Sequence, residues 1–386
     1  MMHRILLGKI LISTAAHIWI KDVLFDINKK NIGGTNMKNR ILAILLVLIM
    51  VVFSACSKPQ TSPDTPSTEG NKEPDTTGKV EYTIKIGHSD TVTNLLHVSL
   101  ENFADYVFKE TNGRVKVDIY AAESIGSNAE MSEMVSMGNL DCIMMPAGQE
   151  AVYAPKIAVL GLPFLFANYE QVYKVLDSEV GESLVEDLAN HNMIQLAYWE
   201  NGLRQITNNV RPIEKPEDLK GLKIRTPEDS MTLAIFKTLG ASPSPLAFSE
   251  LYLALQQGTF DGQENPVSNI YANKFQDVQK YITISNHKYE PKNMIFSLST
   301  WNKLPEDIKA VLLEASKIYG KEHRKAIADS ADSMLAELEA AGMQVSRPDT
   351  SVFQEATKSV YTDFFAQNEW AEDIVNQIKE IIATVK

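Results

Sequence analysis

The chain has 386 residues and a formal net charge of −12, with 37 Lys and Arg against 49 Asp and Glu. Residues 1–55 carry +5, which leaves −17 from Cys56 onward; such a surface opposes nucleic acid, and no basic patch with interleaved aromatics relieves it. The two cysteines do not pair: Cys56 is a modification candidate, and Cys142, inside LDCIMM, reads as a small buried hydrophobe.

Met37, Lys38 and Arg40 precede an unbroken apolar run from Ile41 to Phe53, and Ser54-Ala55-Cys56 follow. A basic start, an apolar run short for a bilayer and small residues before a cysteine resemble a bacterial lipoprotein signal over residues 37–55, with Cys56 as the lipidated residue. Phe53 stands where that signal usually has an aliphatic residue, and a transmembrane anchor is the competing reading. Either way the rest of the chain lies outside the membrane. Residues 1–36 read as a non-translated extension: Gly33-Gly34 can be encoded by a ribosome-binding sequence two codons ahead of Met37. A genuine amphipathic leader is the alternative. Residues 56–79, including SKPQTSPDTPSTEGNKEPDTTGK, are nearly devoid of apolar side chains and read as a flexible tether.

Beyond the tether, YTIKIGHS (82–89) alternates apolar and polar residues as a strand does. Leu95 to Glu110 has helical spacing, RVKVDIY (114–120) alternates again, a helix is expected near 129–137, and LDCIMMP supplies a third strand. This order predicts a mostly parallel α/β sheet covered by helices. After a turn-rich interval containing GLPFLF, MIQLAYWEN (193–201) and LKIRTP (222–227) read as strands. MTLAIFKTLG and SELYLALQQG read as short helices closed by Gly240 and Gly258. YITISNHKYEP and MIFSLST look like strands returning toward the first sheet. Residues 305–342 are almost continuously helical in pattern, long enough to bridge two bodies.

No GxSxG elbow, P-loop, HExxH or CxxC is present, and the seven histidines show no ligand spacing, so neither a metal nor a cofactor is expected. Two arginines stand out. Arg204, in ENGLRQITNN, is expected just after a strand, and Arg225, in GLKIRTPEDS, at the carboxyl end of another; α/β sheets bind ligands at such ends. A guanidinium there holds a carboxylate through two parallel hydrogen bonds, although a structural ion pair is an equally good use of either residue.

The run from Gly221 to His287, with NGLRQITN before it and LGASPSPLAFSELYLALQQG and DGQENP within it, is similar to the extracytoplasmic solute receptors of TRAP transporters, the DctP family. The similarity extends from about Val80 to the C-terminus. It implies a two-lobed periplasmic-binding-protein-like α/β fold with several interdomain crossovers and a long linking C-terminal helix. Lobe I would comprise 80–202 plus 291–330, and lobe II 203–290 plus 331–386. Arg225 matches the family's carboxylate clamp and Arg204 a second anion contact; Phe248 matches a pocket wall and Asn265 an amide that bonds the ligand. Glu250, Asp261 and Glu264 are expected to brace the loops instead. In lobe I the candidates are His88, Ser89, Tyr153 and Asn201. Met145-Pro146-Ala147 stand where sialic-acid binders carry a glutamate, which argues against that ligand. The resemblance implies a monomeric, non-enzymatic receptor, tethered by lipid outside the cytoplasmic membrane. It would pass a small organic acid (sugar acid or C4-dicarboxylate) to the membrane subunits of an ion-coupled permease. A receptor that presents ligand to a membrane sensor kinase is the main rival, and a surface enzyme acting on sugar acids a more distant one.

Overall fold

Alternation of apolar and polar side chains sets the first strand, β1 (Tyr82–Gly87), in the computed structural model, which describes residues 79–385. The expected extension, signal segment, Cys56 and nearly all of the tether lie outside the described residues. Helix α1 (Leu95–Glu110) begins where Asn94 accepts a hydrogen bond from the Leu96 amide and buries Leu96, Leu100, Phe103 and Val107 at helical spacing. Strand β2 (Val115–Tyr120), helix α2 (Asn128–Ser136) and strand β3 (Cys142–Pro146) complete the predicted β-α-β-α-β unit, with β1 parallel to both β2 and β3. Cys142 is a free, buried thiol whose pKa is raised by burial.

Helices α3 (Ala147–Glu150) and α4 (Tyr169–Leu176) lead into β4, which runs from Met193 to Asn208. The strand expected at 193–201 therefore continues for seven residues, and Arg204 lies within it, not after it. Asn201-Gly202 forms a bulge: the register against the neighbouring strand shifts between Glu200 and Gly202. Gly202 has φ +134°, and a Cβ there would lie 3.0 Å from Cβ of Pro266, so only glycine fits.

The second half contains β5 (Lys223–Thr226), α5 (Ser230–Thr238), β6 (Ser242–Pro245), α6 (Phe248–Gln256), β7 (Gly262–Pro266), α7 (Val267–Ala272), β8 (Tyr281–Thr283) and β9 (Tyr289–Ser297). Strand β6 is SPSP, which lacks two backbone donors and is accommodated at the sheet edge. The sheet order is β2-β1-β3-β9-β4-β7-β5-β6. Strands β4 and β9 run antiparallel to their neighbours, so the sheet is mixed where a mostly parallel one was expected. Both of these long strands pass between the two halves, which makes the crossovers part of the sheet itself.

Helix α8 (Glu306–Ala340) is 35 residues long, about 50 Å. Its first turns pack Ile308, Leu312 and Ala315 with Phe103 and Trp199, and its last turns pack Leu335 and Leu338 with Leu251 and Phe275. It therefore joins the cores of both halves. After a short β10 (Gln344–Ser346), helices α9 (Lys358–Gln367) and α10 (Ala371–Ile382) cover α4 and α5, burying Val360, Val375 and Ile378 against Val172, Val175 and Ile235.

Candidate functional site

The carboxyl ends of parallel strands from both halves meet at one crevice. The second half brings Arg225 on β5, Asn265 on β7 and the turn Leu246 to Phe248 after β6. The first half brings Ser89 after β1, Glu123 after β2 and Gln149 after β3. Strand ends free both side chains and backbone groups for a ligand. Six of the eight residues singled out from sequence line this crevice: Arg225, Arg204, Asn265, Phe248, Ser89 and Asn201.

Arg225 is buried, and its Nε and Nη2 donate to the carbonyl of Leu246 at 2.9 and 2.6 Å. Its guanidinium carbon lies 5.7 Å from the centre of the Phe248 ring. Among the described residues no carboxylate pairs with it. Burial lowers its pKa to about 10, which leaves it charged at neutral pH. A desolvated cation without a counter-ion is stabilised strongly by an arriving anion.

Arg204 is committed differently. Its Nε and Nη2 donate to the Glu264 carboxylate, Nη2 to Oε1 at 2.7 Å, and its Nη1 donates to Oε2 of Glu290 at 2.7 Å. Burial opposes charge on Glu264, but Arg204 outweighs it and holds the carboxyl down to about 2. Glu290 also accepts from Lys288 at 3.1 Å, and Lys288 donates to Asp229 as well. Lys292 pairs with Asp90 and lies 3.4 Å from Oγ of Ser89. Of the three cations that line the crevice among the described residues, Arg204 and Lys292 are thus neutralised and Arg225 is not.

Neutral amides supply the remaining polarity. Asn201 donates to Glu290 at 2.9 Å and accepts from Asn269 at 3.0 Å; Asn265 accepts from Arg204 at 3.2 Å. The side-chain oxygens of Asn128 and Gln149 are buried on the crevice wall with no hydrogen-bond partner in the described chain. Buried acceptors of this kind are costly unless a ligand hydroxyl or water satisfies them.

Two candidates are not on the crevice wall. His88 is fully buried, its Nε2 is 3.0 Å from Nδ1 of His97, and burial brings its pKa down to about 4; the end of β1 turns it inward over Asp90. Tyr153 packs edge-on against His191, with ring centres 5.4 Å apart, because the turn α3 carries the chain away from the crevice. Conversely, Glu290 and Lys292 escaped notice. Their signal was legible: Lys288, Glu290 and Lys292 in KYEPK place three charges at period two, the first just ahead of β9 and the other two on one face of that buried strand. Asn128, Gln149 and Asn269 carried no such pattern.

Residues 86–368 match the family described as bacterial extracellular solute-binding protein, family 7, DctP. An uncharacterized protein of Sinorhizobium fredii is 39% identical over 279 residues, 72% of this chain and 51% of that protein. The 2,3-diketo-L-gulonate-binding periplasmic protein of Escherichia coli is 30% identical over 79% of this chain and 94% of its own. Among solved structures, a TRAP periplasmic solute-binding protein from Polaromonas, bound to D-erythronate, superposes with TM-score 0.74 at 35% identity, covering 77% of this chain and 98% of that one. One from Sulfurospirillum deleyianum, with bound succinate, has TM-score 0.75 at 32% identity over 78% and 100%. The last three of these relatives are named as binding proteins. With a two-lobed sheet, a bridging helix and an unpaired arginine at the strand ends, the chain belongs to the DctP family of extracytoplasmic solute-binding receptors of TRAP transporters.

Proposed function

We propose that this receptor captures a hydroxylated monocarboxylate of the sugar-acid class and hands it to the two membrane subunits of an ion-coupled permease. The observation that carries the reading is Arg225, which among the described residues is the unpaired cation on a wall whose other cations already have carboxylate partners. One carboxylate neutralises it. A C4-dicarboxylate brings a second negative charge into a crevice lined by Glu123, Glu228 and Glu290, with no second free cation among the described residues to receive it. The amides of Asn201, Asn265 and Asn269 and the unpartnered oxygens of Asn128 and Gln149 suit several hydroxyl groups instead. Relatives that bind D-erythronate and 2,3-diketo-L-gulonate support this class, while the succinate-binding relative is the case against it.

In this reading lobes I and II close on the ligand, Arg225 and Asn265 acting from lobe II and Ser89 and Asn201 from lobe I. Phe248 excludes water beside the bound carboxylate. Cys56 carries the lipid that keeps the monomer near its permease. A thermal-shift screen of aldonates, each set beside the dicarboxylate of equal chain length, tests the substrate class. A ligand at a hundred times its Kd adds about 2.7 kcal/mol of apparent stability. Stabilisation by dicarboxylates with none by aldonates would sink the reading.

A further inference from the structure

Strands β2 and β6 occupy opposite ends of the sheet order, yet the chain that follows β2 touches the helix that follows β6. The contact is Glu123. Its Oε2 accepts from the backbone amide of Ser249 at 3.0 Å, in the first turn of α6, and its Oε1 accepts from the amide of Asn128 at 3.2 Å, at the start of α2. One carboxylate therefore caps two helices that belong to different halves of the protein and face each other across the ligand crevice.

The surrounding chain is built to aim it. Ala122 and Glu123 both have φ +55°, a left-handed conformation that residues with a Cβ adopt at a cost. Their amides are tied down to the carbonyls of Asp90 and His88 at 2.9 and 3.1 Å, next to Ser89 on the crevice wall. Helix α6 has a vacancy for such a group, since its own N-cap residue, Ala247, provides no side-chain acceptor. Negative charge at a helix N-terminus is favourable, and here two N-termini share it. Beside it a second strut crosses between the halves, the side-chain amide of Asn94 donating to that of Asn269 at 2.9 Å.

We infer that Glu123 is a positioning residue which holds the two halves of the crevice together in the absence of ligand, by capping α6 from the far side. Its effect is to raise the fraction of receptor already closed, which lowers the free energy a ligand must supply to close it. The residue acts through α6 and the Leu246–Phe248 turn that positions Arg225.

The experiment uses the full chain with Cys56→Ser and spin labels at Val98 on α1 and Leu253 on α6, both of which are exposed. Pulsed electron paramagnetic resonance then reports the ligand-free distance distribution. Wild type is expected to show a short-distance population. Glu123→Ala should lower that population at least threefold, and Glu123→Gln, which keeps one neutral acceptor, should fall between them. Raising salt should deplete the short-distance population in wild type and leave it nearly unchanged in Glu123→Gln, because only the charge is screened. If loss of the α2 cap prevents Glu123→Ala from folding, Glu123→Gln and its salt response decide alone. A wild type that is wholly open without ligand, or distributions that superimpose in wild type and variants, overturns the inference.

Discussion

Replacing either arginine of the crevice with alanine removes one positive charge, yet the two replacements should have opposite signatures. Arg204 serves two buried carboxylates, Glu264 and Glu290; among the described residues its removal leaves Glu264 with no partner but the His287 ring and Glu290 with a lysine it shares with Asp229. Breaking a buried pair from one side costs about 3–5 kcal/mol, so ligand-free Arg204→Ala should melt roughly 10 °C below wild type. Among the described residues Arg225 has no carboxylate to strand; it leaves the Leu246 carbonyl, beside the crevice, to be taken up by water. Ligand-free Arg225→Ala should therefore stay within about 1 kcal/mol of wild type. On ligand the order reverses. Loss of the partner of a desolvated anion costs about 2–5 kcal/mol, or roughly 30- to 4,000-fold in Kd. Arg225→Lys keeps the charge but not the fork, and should recover only part of that. Differential scanning calorimetry without ligand, with titration calorimetry on the sugar acid found by thermal shift, measures both quantities. A destabilised Arg225→Ala that binds normally, or a stable Arg204→Ala, would refute the division of roles.

Asn128→Ala and Gln149→Ala each delete a buried acceptor that has no partner within the described chain, so ligand-free melting should hold or rise while sugar-acid affinity falls by about 1–3 kcal/mol; lost stability with intact affinity would contradict this. Glu150 and Glu200 are raised to about 8 by burial, so each keeps its proton in the folded state at pH values where the unfolded chain has lost it. That contribution is complete below the unfolded value of about 4.3 and falls by about 1.4 kcal/mol per pH unit, per group, as pH rises toward 8. Urea melts between pH 6.5 and 8 should accordingly be flatter in Glu200→Gln, and an unchanged slope counts against it. Below that window His88, lowered to about 4, and His323, lowered to about 3, both by burial, act in the opposite sense. Gly202→Ala forces a Cβ to 3.0 Å from Pro266 at φ +134° and should cost about 1–3 kcal/mol in chemical denaturation; a neutral result would mean that the β4 bulge relaxes freely.

Local pattern carried much of the fold. Leu95–Glu110 was legible because its apolar residues recur at helical spacing, and 305–342 because nothing interrupts its periodicity. It failed where neighbours decide: the strand expected to end at Asn201 runs on to Asn208, because β9 and β7 take up the backbone around the bulge and carry it through. GQENP and SPSP have poor strand composition, and pairing within the sheet makes strands of them. In the crevice, strand-end position and the family motif pointed to Arg225, Arg204, Asn265 and Phe248. His88 went astray because a strand-end histidine gives no indication of the face it turns to.

Sequence by itself thus determined the α/β grammar, the acidic charge balance and the family, and it pointed to the two arginines Arg204 and Arg225. Only tertiary structure decided which arginine is free. The carboxylates that neutralise Arg204 lie 60 and 86 residues away along the chain, and Glu123 reaches its second helix 126 residues away. Helix and strand signals are written between neighbours in sequence, whereas the pairing of buried charges is settled by which strands the sheet places side by side.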